Sequence, residues 1–110
     1  MPETGSSWTR AFPAQPAQAR EARAWATSHL AHQDTAQLAG ELFVCVLATT
    51  PSKVTMTIST AGTRARITAS GDQQMTLISA YGPGSHILSG LALRRGVSPD
   101  EFGLWAEVGL

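Results

Sequence analysis

The sequence has little of what several protein classes require. A single cysteine, Cys45, allows neither an internal disulfide nor a cage of thiolate metal ligands. Neither sign of charge is in excess, because eight basic residues are balanced by eight acidic ones. That balance predicts no direct contact with nucleic acid and no polybasic surface that binds membranes.

Long apolar runs are missing too. No stretch approaches the ~20 apolar residues that a membrane span needs. Residues 1–7 have neither the cationic start nor the apolar stretch of a secretory signal. These features predict a cytoplasmic protein without a membrane partner. The chain has 110 residues, of which 43% are hydrophobic, and this is enough for one compact domain with a buried core.

The start of the chain differs in composition from the rest. Residues 1–15 are rich in Pro, Ser and Ala, and they predict an N-terminal arm ahead of a domain that spans residues 16–110. Trp8 and Phe12 lie four positions apart inside this arm. They fit an edge strand that ends at Pro13 and packs against the core, or an aromatic pair that faces a partner.

Two helices are expected next. The first begins near Pro16 and buries a row of alanines, while Arg20 and Arg23 project to the other side. The second begins at Asp34, where Gln37 would complete a capping box. Its apolar residues surround almost the whole helix up to Thr50 and Pro51, which predicts burial on more than one side.

The second half of the chain is dominated by strand patterns. Apolar and polar residues alternate over residues 54–60 and again over 64–69, which predicts a hairpin with one wet face. A third helix is expected over residues 85–95, followed by a strand near Val97 and a last strand over 104–108. This order predicts an α+β fold, a two-layer sandwich of a largely antiparallel sheet with helices on one face.

Several local motifs occur in a recognisable order. They are Phe12-Pro13 before the first helix, Glu41-Leu42-Phe43-Val44-Cys45-Val46, Gly82-Pro83-Gly84 before a helix, and Leu104-Trp105-Ala106-Glu107-Val108. Together they resemble the GHKL (histidine-kinase-like) ATP-binding domain, and most of all its short bacterial branch related to anti-sigma-factor serine kinases. The resemblance covers nearly the whole chain and implies the two-layer fold of that family.

The resemblance also implies where a nucleotide would bind. Cys45 stands where the family has an asparagine that ligates Mg²⁺, and a soft sulfur is a poor ligand for that ion. Gly71 stands where the family has the aspartate that contacts adenine, and Asp72 follows one residue later. Retained binding of ATP or ADP with Mg²⁺ would use Glu41, Cys45, Gly71, Asp72, Gly82 and Gly84, with Glu41 as the residue of any remaining catalysis.

These departures favour a degenerate domain that acts by protein recognition and needs no cofactor. The resemblance implies bacterial transcriptional control, with a sigma factor, an anti-anti-sigma protein or a helix-turn-helix regulator as the partner. Aromatic and arginine side chains often anchor interfaces, so the partner-binding candidates are Trp8, Phe12, Arg20 and Arg23. A homodimer, a nucleotide-binding protein or serine kinase, and a small-ligand receptor that uses the vacated cavity stay open as alternatives.

Overall fold

A computed structural model describes residues 5–75 and 90–110 of the chain. Two helices, α1 and α2, and five strands, β1 to β5, lie wholly within these ranges. Their bounds are β1 Ser6–Pro13, α1 Gln18–His29, α2 Thr35–Leu47, β2 Lys53–Ala61, β3 Arg64–Ser70, β4 Arg94–Val97 and β5 Gly103–Gly109.

The strands form one five-stranded sheet in the order β1-β2-β3-β5-β4, and every neighbouring pair is antiparallel. The β2–β3 hairpin turns at Gly62, whose φ of 59° suits a residue without a side chain. Both α1 and α2 pack on one face of this sheet. The expected α+β fold with an antiparallel sheet is therefore confirmed.

The core lies between the helices and that face. The alternation predicted for the hairpin is confirmed over most of its length, because every second residue is buried from Val54 to Ile58 in β2 and from Ala65 to Ala69 in β3. Burial of each large apolar side chain contributes about 1.5–3 kcal/mol. The largest fully buried residues from the helices and the central strands are Leu38, Leu42, Phe43, Val46, Val54, Met56, Ile58, Ile67, Leu104 and Val108.

The N-terminal arm is largely an edge strand that ends at Pro13, as one of the two interpretations predicted. Phe12 leaves only 2% of its surface exposed and makes edge contacts with the rings of Trp25 and Phe43. The prediction that Phe12 faces a partner is wrong, because its ring belongs to the core. Trp8 is half-buried and stacks on His29, with 5.1 Å between the ring centroids.

Two local expectations about the helices are wrong. Asp34 precedes α2 but its side chain caps nothing, while its backbone N–H donates to Nδ1 of His32 at 3.1 Å. The helix expected to reach residue 95 ends earlier, because Gly90 and Leu91 are helical while Arg94 and Arg95 belong to β4. The rest of that expected helix lies outside the described residues.

None of the helices in residues 5–75 and 90–110 combines the length and the apolar character that crossing a bilayer requires.

Candidate functional site

Glu41 and Cys45 lie one turn apart on α2, on the side that leads toward β4. The Cys45 side chain is buried, and this burial raises the pKa of its thiol above the ordinary value. The negative charge of Glu41 raises the same pKa further, whereas the positive charge of Arg95 opposes both effects. Cys45 is therefore a neutral, buried thiol at physiological pH. The sequence could not predict that Arg95 acts on the pKa of Cys45, because the two residues come close only once β4 has joined the sheet.

Gly71 follows the end of β3 and has no room for a side chain. Its N–H donates to the carbonyl oxygen of Phe102 at 2.9 Å, which fixes the backbone. A Cβ atom at this position would lie 2.9 Å from Cβ of Pro51 and 3.2 Å from Cγ1 of Val46. Real Cβ atoms hardly ever approach other atoms within 3.0 Å. The space in which an adenine-binding side chain would start is thus filled by two apolar residues.

Asp72 is exposed, but its carboxylate already has partners. Oδ1 accepts the backbone N–H of Ser52 at 3.0 Å, and Oδ2 accepts the Ser52 hydroxyl. These hydrogen bonds lower the pKa of Asp72, and the hydroxyl of Ser52 has the largest effect. Asp72 therefore ties the end of β3 to the segment that enters β2, which is a structural role.

Positions 45, 71 and 72 do not fit a magnesium-bound nucleotide. The hard cation would meet a neutral thiol at residue 45, and adenine would find no polar side chain at residue 71, where even a Cβ has no room. The carboxylate of Asp72, the residue after Gly71, already accepts two hydrogen bonds from Ser52. Gly82 and Gly84 lie outside the described residues.

Arg20 and Arg23 are both exposed on α1, as the sequence predicted. The side chain of Arg23 crosses Gly40 of α2 closely, since a methyl group at Gly40 would lie 3.0 Å from Cδ of Arg23. Arg23 therefore has a packing role between the helices. Trp8 lies at the other end of α1, where His29 contacts both Trp8 and Trp25. The structure does not gather the proposed partner-binding residues into one patch.

The sheet face opposite the helices carries a cluster that the sequence did not reveal. Arg66, Glu107 and Arg94 lie side by side on β3, β5 and β4. Oε2 of Glu107 accepts Nε of Arg66 at 3.0 Å, and Nη2 of Arg66 lies 2.9 Å from the same oxygen. Nε of Arg94 lies 3.4 Å from Oε1. We call these three residues, with Arg64 and Trp105, the arginine cluster.

Trp105 packs against both the edge strand β4 and Arg66 of this cluster. Its indole lies over Gly96 of β4, where an added Cβ would be 2.8 Å from Cζ2. The guanidinium of Arg66 lies 4.0 Å from the centroid of the ring. Such a cation–π contact contributes ~0.5–1 kcal/mol at a partly exposed site. Arg66 is therefore fixed by both the indole and a carboxylate, which makes it a rigid part of an otherwise open face.

A scan against models of known protein families finds no match, and a search of curated proteins finds no significant one. The functional interpretation rests on the residues and on their geometry.

Proposed function

We propose that this chain is a regulatory module with a degenerate GHKL-like fold, and that it acts by binding a protein partner without phosphoryl transfer. The observation that supports the proposal is the lack of room at Gly71, where Pro51 and Val46 lie against the position at which the resemblance implies a nucleotide anchor. The resemblance in sequence supplies the context, which is bacterial transcriptional control in the manner of anti-sigma factors.

The chemistry of α2 supports the same proposal. Phosphoryl transfer needs a metal ion to neutralise charge on the phosphates and a group that positions the nucleophile. Glu41 is available for positioning, but Cys45 offers a neutral sulfur where an oxygen ligand is needed. A domain with this fold whose nucleotide-ligand positions are apolar can still present its surface to a protein partner.

The first experiment measures thermal unfolding with and without Mg-ATP and Mg-ADP. A ligand at 100 times its Kd would stabilise the protein by ~2.7 kcal/mol. In a domain of this size that corresponds to a shift in Tm of about 10 °C or more. We expect no magnesium-dependent shift. A shift that disappears in Glu41→Gln would refute the proposal in favour of a nucleotide-binding protein.

The second experiment measures direct binding to purified partners. Bacterial sigma factors, anti-anti-sigma proteins and helix-turn-helix regulators are the classes to test by surface plasmon resonance. We expect one class to bind with an affinity that added Mg-ATP does not change. Binding that requires nucleotide would show that the site at α2 still controls the protein.

A further inference from the structure

The open face of the sheet has an uneven charge. Glu107 is the one carboxylate within the five described strands, and Arg64, Arg66 and Arg94 lie around it on the same face. Three cations against one anion leave a surplus of two in a chain whose net charge is zero. Lys53 lies at the far end of β2, outside the residues that pair with β3, and so stands apart from these arginines.

The surplus is concentrated beside a groove of about 320 Å³, whose lining includes Arg64, Arg66, Ser59 and Glu107. Arg64 is exposed and forms no ion pair with a residue in the described ranges. Arg66 keeps 40% of its side chain exposed although Glu107 binds it. The groove thus combines guanidinium donors with a serine hydroxyl, a set that recognises carboxylates.

The spacing of the arginines indicates the form of the ligand. Arg64 and Arg66 stand two positions apart on β3, so they share one face of the sheet and are ~7 Å apart along the strand. Two carboxylates with that spacing occur in an acidic polypeptide, for example two residues apart in an extended segment. A flat face of ~20 Å by ~20 Å corresponds to a weak, transient contact and not to a permanent interface.

Nucleic acid fits this face less well. Stable binding to nucleic acid needs many phosphate contacts and, for single strands, aromatic faces on which bases stack. Trp105 has the guanidinium of Arg66 over its ring and Gly96 beside it. Its ring is already engaged, and the surplus of two charges is small.

We propose that the arginine cluster and its groove bind an acidic segment of a partner protein, with Arg64 and Arg66 contacting two carboxylates that stand two residues apart in that segment. This inference rests on the proposed function and assigns the interaction surface to the sheet, away from α1. Arg64 and Arg66 supply the charge in the groove, and the contacts with Trp105 and Glu107 keep Arg66 in place.

The test uses the full chain and a short fluorescent peptide of alternating glutamate and serine, with a glutamine–serine peptide as its neutral counterpart. Fluorescence anisotropy at ~50 mM salt keeps screening low. We expect binding of the acidic peptide alone. Arg64→Glu should weaken it about fivefold to tenfold, because an attraction becomes a repulsion. Arg20→Glu changes the net charge equally and should weaken it less than twofold.

Several results would overturn the inference. They are no binding of the acidic peptide, an equal or larger loss in Arg20→Glu, tighter binding of a single-stranded RNA of the same length, and displacement of the peptide by an equal concentration of free glutarate. Circular dichroism checks the fold of each variant, and Arg64→Gln, expected to weaken binding about twofold to threefold, replaces Arg64→Glu if that variant unfolds.

Two results distinguish a wrongly assigned surface from a wrong proposed function. If a purified partner binds the chain and Arg64→Glu leaves that affinity unchanged, the surface is assigned wrongly while protein recognition stands. If Mg-ATP shifts the Tm while the acidic peptide still depends on Arg64, the proposed function fails and the groove remains.

Discussion

The filled space at Gly71 can be tested by adding one methyl group. In Gly71→Ala the new Cβ would lie 2.9 Å from Cβ of Pro51 and 3.2 Å from Cγ1 of Val46. The Pro51 atom belongs to a ring attached directly to the backbone, so it moves only when the whole segment moves. Overpacking of this kind costs about 1–3 kcal/mol. We therefore expect Gly71→Ala to lower the free energy of unfolding by about 2 kcal/mol.

Gly90→Ala is the matched control for this measurement. The chemical change is identical, but Gly90 is helical and a Cβ there meets nothing within 4 Å. Replacing a helical glycine by alanine stabilises by roughly 0.5–1 kcal/mol. Urea unfolding at neutral pH gives both values from the shift in midpoint at constant slope. The two substitutions should therefore have opposite signs.

Gly71→Asp extends the test from stability to function. It introduces a carboxylate at the position where the resemblance to the GHKL family implies an adenine contact, and places it against Pro51 and Val46. We expect a larger loss of stability than in Gly71→Ala, and no shift in Tm with Mg-ATP. If Gly71→Ala is as stable as the parent protein, the space is open and the argument fails. If Gly71→Asp gains nucleotide binding, the anchor position is still usable.

Five further substitutions, at four residues, test the core and the loops. Cys45→Ala should lower the free energy of unfolding by about 1 kcal/mol. The native thiol should react slowly with a maleimide, and rapid labelling would contradict its burial. Cys45→Asn should show no Mg-ATP hydrolysis above buffer. Phe12→Ala should cost about 3–5 kcal/mol in urea unfolding, and a loss below ~1 kcal/mol would return the ring to the surface. The lowered pKa of Asp72 stabilises the fold above the ordinary carboxyl range, and this contribution is lost as the pH falls through the folded-state pKa. Asp72→Asn should therefore lower the Tm at pH 7 but not at pH 2, with Ser52→Ala changing it in the same direction, and an equal effect at both pH values would refute the role of the charge.

Local patterns in the sequence were enough to predict most of the sheet. The hairpin follows from a period of two in Val54, Met56 and Ile58, because side chains alternate between the faces of a strand. The last strand follows from the same period around Trp105. The edge position of the arm was one of two alternatives, since an aromatic residue beside a proline also fits an exposed surface.

Features that depend on distant pairing were not predictable. Arg94 and Arg95 read as the end of a helix, but Leu93 N–H donates to the carbonyl of Glu107, and pairing with β5 extends the chain there. The pattern of apolar residues carries no information about this partner. The capping box failed for a related reason, because the N–H of Asp34 is bound by His32 in a turn before the helix.

The chemistry of the candidate site was predictable only in part. The motif order singled out Cys45, Gly71 and Asp72, whose role stays a prediction, and the sequence already indicated that sulfur is a poor magnesium ligand. That Pro51 fills the space beside Gly71 needed coordinates, since twenty residues of chain separate the two. The arginine cluster was missed because Arg66 and Glu107 lie 41 positions apart and meet only when β3 pairs with β5.

Cys45 on α2 and Gly71 beside Val46 of the same helix both keep polar side chains out of the packing of α2. A buried amide needs hydrogen-bond partners or costs about 1–3 kcal/mol, whereas a buried thiol is nearly apolar and needs none. A glycine at 71 lets Pro51 and Val46 pack where a polar side chain would have kept them apart. Both residues therefore suit apolar packing beside α2, Cys45 as a buried thiol and Gly71 by leaving room for Pro51 and Val46.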